Sequence, residues 1–258
     1  MKALLLAAGY GTRLYPLTED RPKTLLPVGG RPMLDWIADK IDEVASVDEL
    51  HIVTNARFAA SIESWAETRE GRLRPVAHDD GTTSNDDRLG AIGDIAFTIE
   101  RGGLLGDDLM IVAGDNLFDF SLADYEAWWR ARGEASAIAI RDCGSLELAR
   151  QYSVVELDAD DRVVSFVEKP VEPESTLVSI ATYLYHRDHV PLVFEYLDAG
   201  NPPDQPGHLV AWLHTRRPVY GYELAGTWFD IGDHEQLLVA DNLFRARVGL
   251  PERTEYAL

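Results

Sequence analysis

The first residues able to do chemistry stand close together near the start of the chain: Leu6-Ala-Ala-Gly-Tyr-Gly-Thr-Arg-Leu14, with Lys23 nine residues further on. Gly9 and Gly11 let the main chain turn sharply and bring its N–H groups against an anion. Arg13 adds a forked donor matched to phosphate oxygens. Lys23, beside Pro22, supplies a second cation from the far side of the loop. Together they suit a triphosphate. The loop is not a P-loop, because no G-x-x-x-x-G-K-[ST] is present. It is not a dinucleotide fingerprint either, because Leu14 stands where a third glycine belongs. Gly-x-Gly on its own is also an ordinary tight turn. Much further along, Asp115 and Asp230 each close an apolar run. Singly, each serves equally well as a turn or a helix cap. Brought into one cleft, the two carboxylates would hold Mg²⁺, which takes few protein ligands and completes its shell with phosphate oxygens and water.

The remaining reactive residue types say less. Cys143 is the single cysteine of 258 residues, which excludes an intramolecular disulfide and a cysteine zinc cluster, and a half-buried place is expected for it. His186 and His189 stand i, i+3 without a third ligand, and a surface position is expected for both. Acidic residues outnumber basic ones 44 to 24, a formal charge of −20, so nucleic acid and anionic membranes are not expected partners. The apolar run behind Met1 ends after about six residues, too short for a secretory signal, and no stretch reaches the roughly 18 residues of a membrane span. A cytoplasmic location is the expectation.

These residues need a scaffold, and the hydrophobic pattern supplies one. Lys2–Ala7, Glu49–Thr54, Leu73–Ala77 and Leu109–Val112 read as buried strands, while Met33–Ala45, Ala59–Glu67 and Arg88–Glu100 carry apolar residues at helical spacing. Such alternation predicts an α/β fold: a Rossmann-like, mixed but mostly parallel sheet flanked by helices in a single domain. Ligands of such sheets sit beyond the carboxyl ends of the strands, which points to residues 8–18 and 113–118. In the second half, Tyr152–Leu157 and Arg162–Glu168 flank the polar turn Asp158–Asp161 as a hairpin. Strands are expected over Leu177–Tyr185 and Pro218–Glu223, helices over Asp188–Leu197 and His234–Arg245, and a loop over Asn201–Gly207 with its three prolines.

The opening stretch, continued by Tyr15-Pro-Leu-Thr18 and Arg21-Pro-Lys-Thr-Leu-Leu-Pro-Val28, closely resembles the signature of the sugar-phosphate nucleotidyltransferases, the NDP-sugar pyrophosphorylases, among them the glucose-1-phosphate thymidylyltransferases. The resemblance runs on in the family's order. Leu89-Gly-Ala-Ile-Gly-Asp-Ile95 is similar to the segment under the nucleobase, and Ala113-Gly-Asp-Asn116 to the Gly-Asp metal motif. Glu168-Lys-Pro170 is similar to the triplet that holds the sugar and its phosphate, and Trp228-Phe-Asp-Ile-Gly232 to the motif bearing the second metal carboxylate.

The resemblance implies a GT-A-like fold and Mg²⁺-assisted in-line attack of a sugar 1-phosphate on the α-phosphate of an NTP. It implies catalytic roles for Arg13 and Lys23 and metal ligation by Asp115 and Asp230. Leu6, Ala8, Gly9, Gly11, Thr12, Asp79 and Gly90 are the implied nucleotide contacts. Asn116, Ser153, Glu168, Lys169 and Tyr183 are the implied sugar-phosphate contacts. Residues 1–120 would form the nucleotide half and 121–258 the sugar-phosphate half.

The chain departs from the family in informative places. Tyr152-Ser-Val-Val155 has Ser153 where a glycine is usual, and Ser179-Ile-Ala-Thr-Tyr-Leu-Tyr185 has Ala181 in a similar position. His78-Asp-Asp-Gly-Thr-Thr-Ser-Asn-Asp-Asp-Arg88 replaces the common Gln-and-proline run before the base glycine. Its Asp and Asn side chains suit the amine of cytosine or guanine, or else form a solvated loop; the reading leans to a pyrimidine. After Gly232 about one helix is expected, leaving no room for the β-helix tail of some relatives, and family habit implies a homo-oligomer of unspecified number. A GT-A glycosyltransferase would not need the Gly9–Lys23 loop. A non-catalytic sugar-nucleotide sensor would not need to keep Arg13, Lys23, Asp115 and Asp230.

Overall fold

The computed structural model describes residues 1–258. The chain runs through β1 (Lys2–Leu6), single helical turns at Thr12–Leu14 and Lys23–Leu25, the short pair β2 (Pro27–Val28) and β3 (Arg31–Pro32), and then α1 (Met33–Asp42), β4 (Glu49–Thr54), α2 (Ala59–Thr68) and β5 (Pro75–Asp79). It continues with α3 (Ala91–Gly102), β6 (Leu109–Ala113), β7 (Asn116–Phe118), α4 (Leu122–Arg130), β8 (Ser136–Asp142), α5 (Leu146–Ala149), β9 (Ser153–Leu157), β10 (Val163–Glu168) and β11 (Leu177–Tyr185). It closes with α6 (Leu192–Asp198), α7 (Pro206–Leu213), β12 (Val219–Glu223), β13 (Trp228–Asp230) and α8 (His234–Arg247).

Nine strands form one mixed sheet. The order β10-β9-β11-β6-β1-β4-β5 is continued by β8, which pairs with both β11 and β12. Strands β6, β1, β4 and β5 are parallel, and β11 enters antiparallel to β6. From β1 the chain moves outward through β4 and β5, then returns to the other side as β6. That reversal makes a switch point at the carboxyl ends of β1 and β6, where Leu6 stands level with Ala113. Alternation along β1 sends Ala3 and Leu5 into one core and Leu4 into another, so both faces are covered. Ile37 and Ile41 of α1 pack on the first face; Ile92, Ile95 and Ile99 of α3 pack on the second.

Several boundaries differ from the sequence reading, each for a local reason. The third strand lies two residues later than expected, at Pro75–Asp79. Helix α3 starts at Ala91 rather than Arg88, because Gly90 at φ 80° is outside helical geometry. The loop expected over Asn201–Gly207 ends early, since Pro206 takes the first turn of α7, where its missing N–H costs nothing. The stretch 119–151, to which the periodicity assigns nothing, folds as α4, β8 and α5. No helix is long and apolar enough to cross a membrane.

One strand joins the parallel strands to the β9–β10 hairpin. Along one edge β11 pairs with β9 at Val178 and Ser179, then with β6 from Thr182 to Tyr185. The change of partner falls at Ala181, whose φ of 52° is left-handed. Register with β8 on the opposite edge also shifts between Ser179 and Tyr183.

Candidate active site

A cleft of 340 Å³ opens at the switch point, lined by the whole turn from Leu6 to Leu14 with Lys23, Gly90, Asp115 and Gly232. Of the expected nucleotide set, Leu6, Ala8, Gly9, Gly11, Thr12 and Gly90 line it; so do Arg13 and Lys23. Gly11 has φ 62°, and a Cβ there would lie 3.1 Å from that of Lys23, so the turn and the cation approach each other only because the position is glycine. Thr18 Oγ1 donates to the Gly11 carbonyl at 2.7 Å and pins the turn.

The two carboxylates come together through a small sheet of their own. β7 and β13 are antiparallel, with Asp230 directly opposite Asn116, and Ile231 N–H donates to the Asp115 carbonyl at 3.2 Å. Lys23 Nζ donates to Asp115 Oδ2 at 2.7 Å, tying the opening loop to β7. The Asp230 carboxyl is pushed up to about 6, first by burial and then by the charge of Asp115, against the pull of Lys23, Arg13 and Lys169. Two acidic groups pressed together below three cations form a hard-oxygen donor set of the kind magnesium takes, without a third acidic, histidine or cysteine ligand.

Asn116 is not a free contact. Its Oδ1 accepts from Trp228 Nε1 at 3.1 Å and its Nδ2 donates to the Ile180 carbonyl at 3.0 Å, so this 3 %-exposed amide braces β7 against β13 and β11.

Three adjacent strands then bring Glu168, Ser153 and Ser179 into one row, since Ser153 faces Glu168 across β9–β10 and Ser179 across β9–β11. Ser153 Oγ donates to Glu168 Oε2. Gly207 at the start of α7 closes over them, near enough that a Cβ would lie 2.5 Å from Ser153 Oγ. Lys169, half exposed at φ 45°, holds its ammonium 4.0 Å from Glu168 Oε1. Tyr183 lies in the core beside this row at 2 % exposure, and burial holds its hydroxyl well above the usual range. A ligand contact is expected of it from the sequence, but its ring belongs to the second core together with Tyr185.

Asp79 also lies elsewhere than expected. It is exposed and its Oδ1 accepts from Gly81 N–H at 2.9 Å, while the next residue, Asp80, faces the cleft. The loop behind it is organised rather than loose: Asp87 accepts from the N–H groups of Thr83 and Ser84 and is drawn down to about 2 by those bonds. Asn85, Arg88, Asp94 and Asp204 complete that end of the cleft. Asn85 and Arg88 lie in the polar run 78–88 and Asp94 in the segment 89–95, both singled out in the sequence, whereas Asp204 lies only in an expected loop. Asp94 has one usable signal, an acid at helical spacing on the apolar face of α3. Asp204 sits in a proline loop whose carbonyls, with that of Pro203, accept from the Ala91 and Ile92 N–H groups at 3.1 and 2.8 Å. His189 corrects another expectation: it is buried, with Nδ1 2.8 Å from Ser136 Oγ. Cys143 is half-buried, as expected.

Residues 2–246 match the family model described as nucleotidyl transferase. A bifunctional protein GlmU of Methanococcus maripaludis is 28% identical over 255 residues, covering 96% of this chain and 55% of that protein. A UTP–glucose-1-phosphate uridylyltransferase of Synechocystis is 28% identical over 238 residues, 90% of this chain and 60% of that one. The chain thus spans little more than half the length of these curated relatives. The crystal structure of a UDP-glucose pyrophosphorylase complexed with UDP-glucose superposes with a TM-score of 0.80 at 21% identity, over 95% of this chain and 98% of that one. This likeness is one of fold.

Proposed function

The chain belongs to the nucleotidyl transferase family, and on that premise we propose that it joins a nucleoside triphosphate to a sugar 1-phosphate and releases pyrophosphate. The observation that carries this reading is the 2.7 Å pairing of Lys23 with Asp115 beside Asp230, at the mouth of the glycine loop. Residues 1–120 take the nucleotide, a pyrimidine triphosphate on the sequence reading. Residues 121–258 take the sugar phosphate, in a cytoplasmic enzyme.

Both reactants are anions, so the protein's task is to bring them together and absorb charge. A phosphate oxygen of the sugar 1-phosphate attacks the α-phosphorus in line, and the bond to the α–β bridging oxygen breaks. Arg13, exposed on the loop beside Gly232, meets the charge of the departing β and γ phosphates. Lys23 bridges the α-phosphate and the attacking phosphate, and Lys169 holds the sugar phosphate. Glu168 and Ser153 face the sugar hydroxyls. No general base is required, because a phosphate monoester is largely ionised at neutral pH. The acidic pair fits a divalent cation: Asp115 and Asp230 would hold Mg²⁺, which supplies positive charge next to the phosphates when bound.

The test is pyrophosphate release over five nucleoside triphosphates crossed with a panel of sugar and polyol 1-phosphates. One pairing should release pyrophosphate and stop on chelation of the metal. No release from any pairing, or release indifferent to chelator, would overturn the reading.

A further inference from the structure

The far end of the cleft is built from two carboxyls, Asp80 just past β5 and Asp94 in the first turn of α3. Asp80 is held in place. Its Oδ1 accepts from both the N–H and the hydroxyl of Thr82 at 2.7 Å. With that hydroxyl proton committed, Tyr10 of the glycine loop donates its own to Thr82 Oγ1 at 3.0 Å. Asp94 is 8 % exposed, and its Oδ1 is buried with no hydrogen-bond partner. Neither carboxyl takes part in an ion pair, and Arg88 nearby is bridged to Asp204 at 3.2 Å.

Electrostatics sets the direction in which a nucleotide enters. Its phosphates are repelled by Asp80 and drawn to Arg13 and Lys23, so its base is turned toward Asp80 and Asp94. Burial, and after it the neighbouring Asp80, pushes Asp94 up to about 8. Asp80 Oδ1 already accepts twice from Thr82, and Asp94 Oδ1 is buried without a partner, so what this end of the cleft lacks is a donor. Uracil and thymine offer one ring N–H between two carbonyls, and a carbonyl aimed at these oxygens is repelled. Cytosine, adenine and guanine offer an exocyclic amine, the natural donor to an aspartate.

Resting on the nucleotidyl-transfer reading, we propose that Asp80 and Asp94 read the base and make the protein select a nucleoside triphosphate bearing an exocyclic amine over UTP and dTTP. With the pyrimidine expectation, CTP is the first candidate.

The experiment is equilibrium titration calorimetry of CTP, ATP, GTP, UTP and dTTP with magnesium and no sugar phosphate, on the wild type, Asp94→Ala and Asp80→Asn. At least one amine-bearing nucleotide should bind about tenfold or more tightly than UTP and dTTP, since a site built to accept rejects a base that cannot donate. Asp94→Ala should narrow the ratio to about threefold or less. Asp80→Asn, which adds an amide donor on an exposed loop, should move the preference toward UTP; it keeps the test decisive if Asp94→Ala fails to fold. Tightest binding of UTP or dTTP, or an unchanged ratio in both variants, overturns the inference and leaves nucleotidyl transfer standing. Binding of no triphosphate removes both.

Discussion

Lys23 and Asp115 form the one ion pair inside the cleft in which both groups also have a proposed role, and that makes their substitution informative. Asp115→Asn or Asp230→Asn should lower turnover by about a hundredfold or more, the usual scale for a lost electrostatic stabiliser; steady-state pyrophosphate release checks it. Lys23→Ala should depress the rate far more than the unfolding midpoint, because its partner Asp115 is 35 % exposed and is hydrated once the ammonium is gone. A midpoint that falls in step with the rate would make the lysine structural. Arg13, Lys23, Asp115 and Asp230 were legible in the sequence because each stands in a motif with a chemical reason. Asp94 was legible only as a member of the segment Leu89–Ile95, not as an individual side chain, and Asp204 was not legible at all. An acid in the first turn of a helix is ordinary, and only the fold shows that Asp94 is buried against Asp80. Asp204 depends on a long-range approach that no local pattern encodes. Ser153 was legible as a departure, but its donation to Glu168 depends on a strand register that a turn sequence does not state.

Among the elements, β11 was readable at both ends because its run of nine residues is bounded by polar turns. β8 was not: Ser-Ala-Ile-Ala-Ile is buried on both faces, so it shows no alternation, and four apolar positions in a row suit either a strand or a helix. α4 had a signal that the periodicity missed, since Ser121 caps it by accepting from Asp124 N–H at 3.1 Å. The change of partner in β11 is where the element is under strain. Ala181 keeps a Cβ in a left-handed conformation that disfavours it, so Ala181→Gly should raise stability by up to about 1 kcal/mol. Ala181→Val should lower it by at least as much, the β-branch being worse there. Urea unfolding midpoints of the two variants, moving in opposite directions, check the point.

At the scale of the whole molecule, two buried histidines contribute a part of the stability that acid removes. His78, stacked on His51 with ring nitrogens 2.8 Å apart, and His189 are each held down to about 4, chiefly by burial, from an ordinary value of 6.5. The unfolded chain takes up these protons near 6.5 and the folded chain only near 4. Their contribution is therefore complete above about pH 6.5 and drains away as the pH falls toward 4. Asp94 and Asp230, held up to about 8 and about 6, act in the opposite sense over much of that window, so the expected outcome is a difference. Between pH 6.5 and about 4 the melting temperature of His78→Gln should lose less, relative to its value at about pH 7, than that of the wild type. An identical pH dependence in thermal melts would overturn the assignment to His78. The contact of the Pro203–Asp204 carbonyls with the first turn of α3 has a consequence at the same scale. The segment that follows it, at Gly207, closes on Ser153 and Glu168, so one short stretch of chain touches both ends of the site. The Ala91 and Ile92 amides are protected only while that stretch is docked. Their deuterium uptake therefore clocks the undocking of that stretch, and a sugar phosphate bound beside Ser153 and Glu168 should slow isotope exchange at two amides on the far side of the cleft.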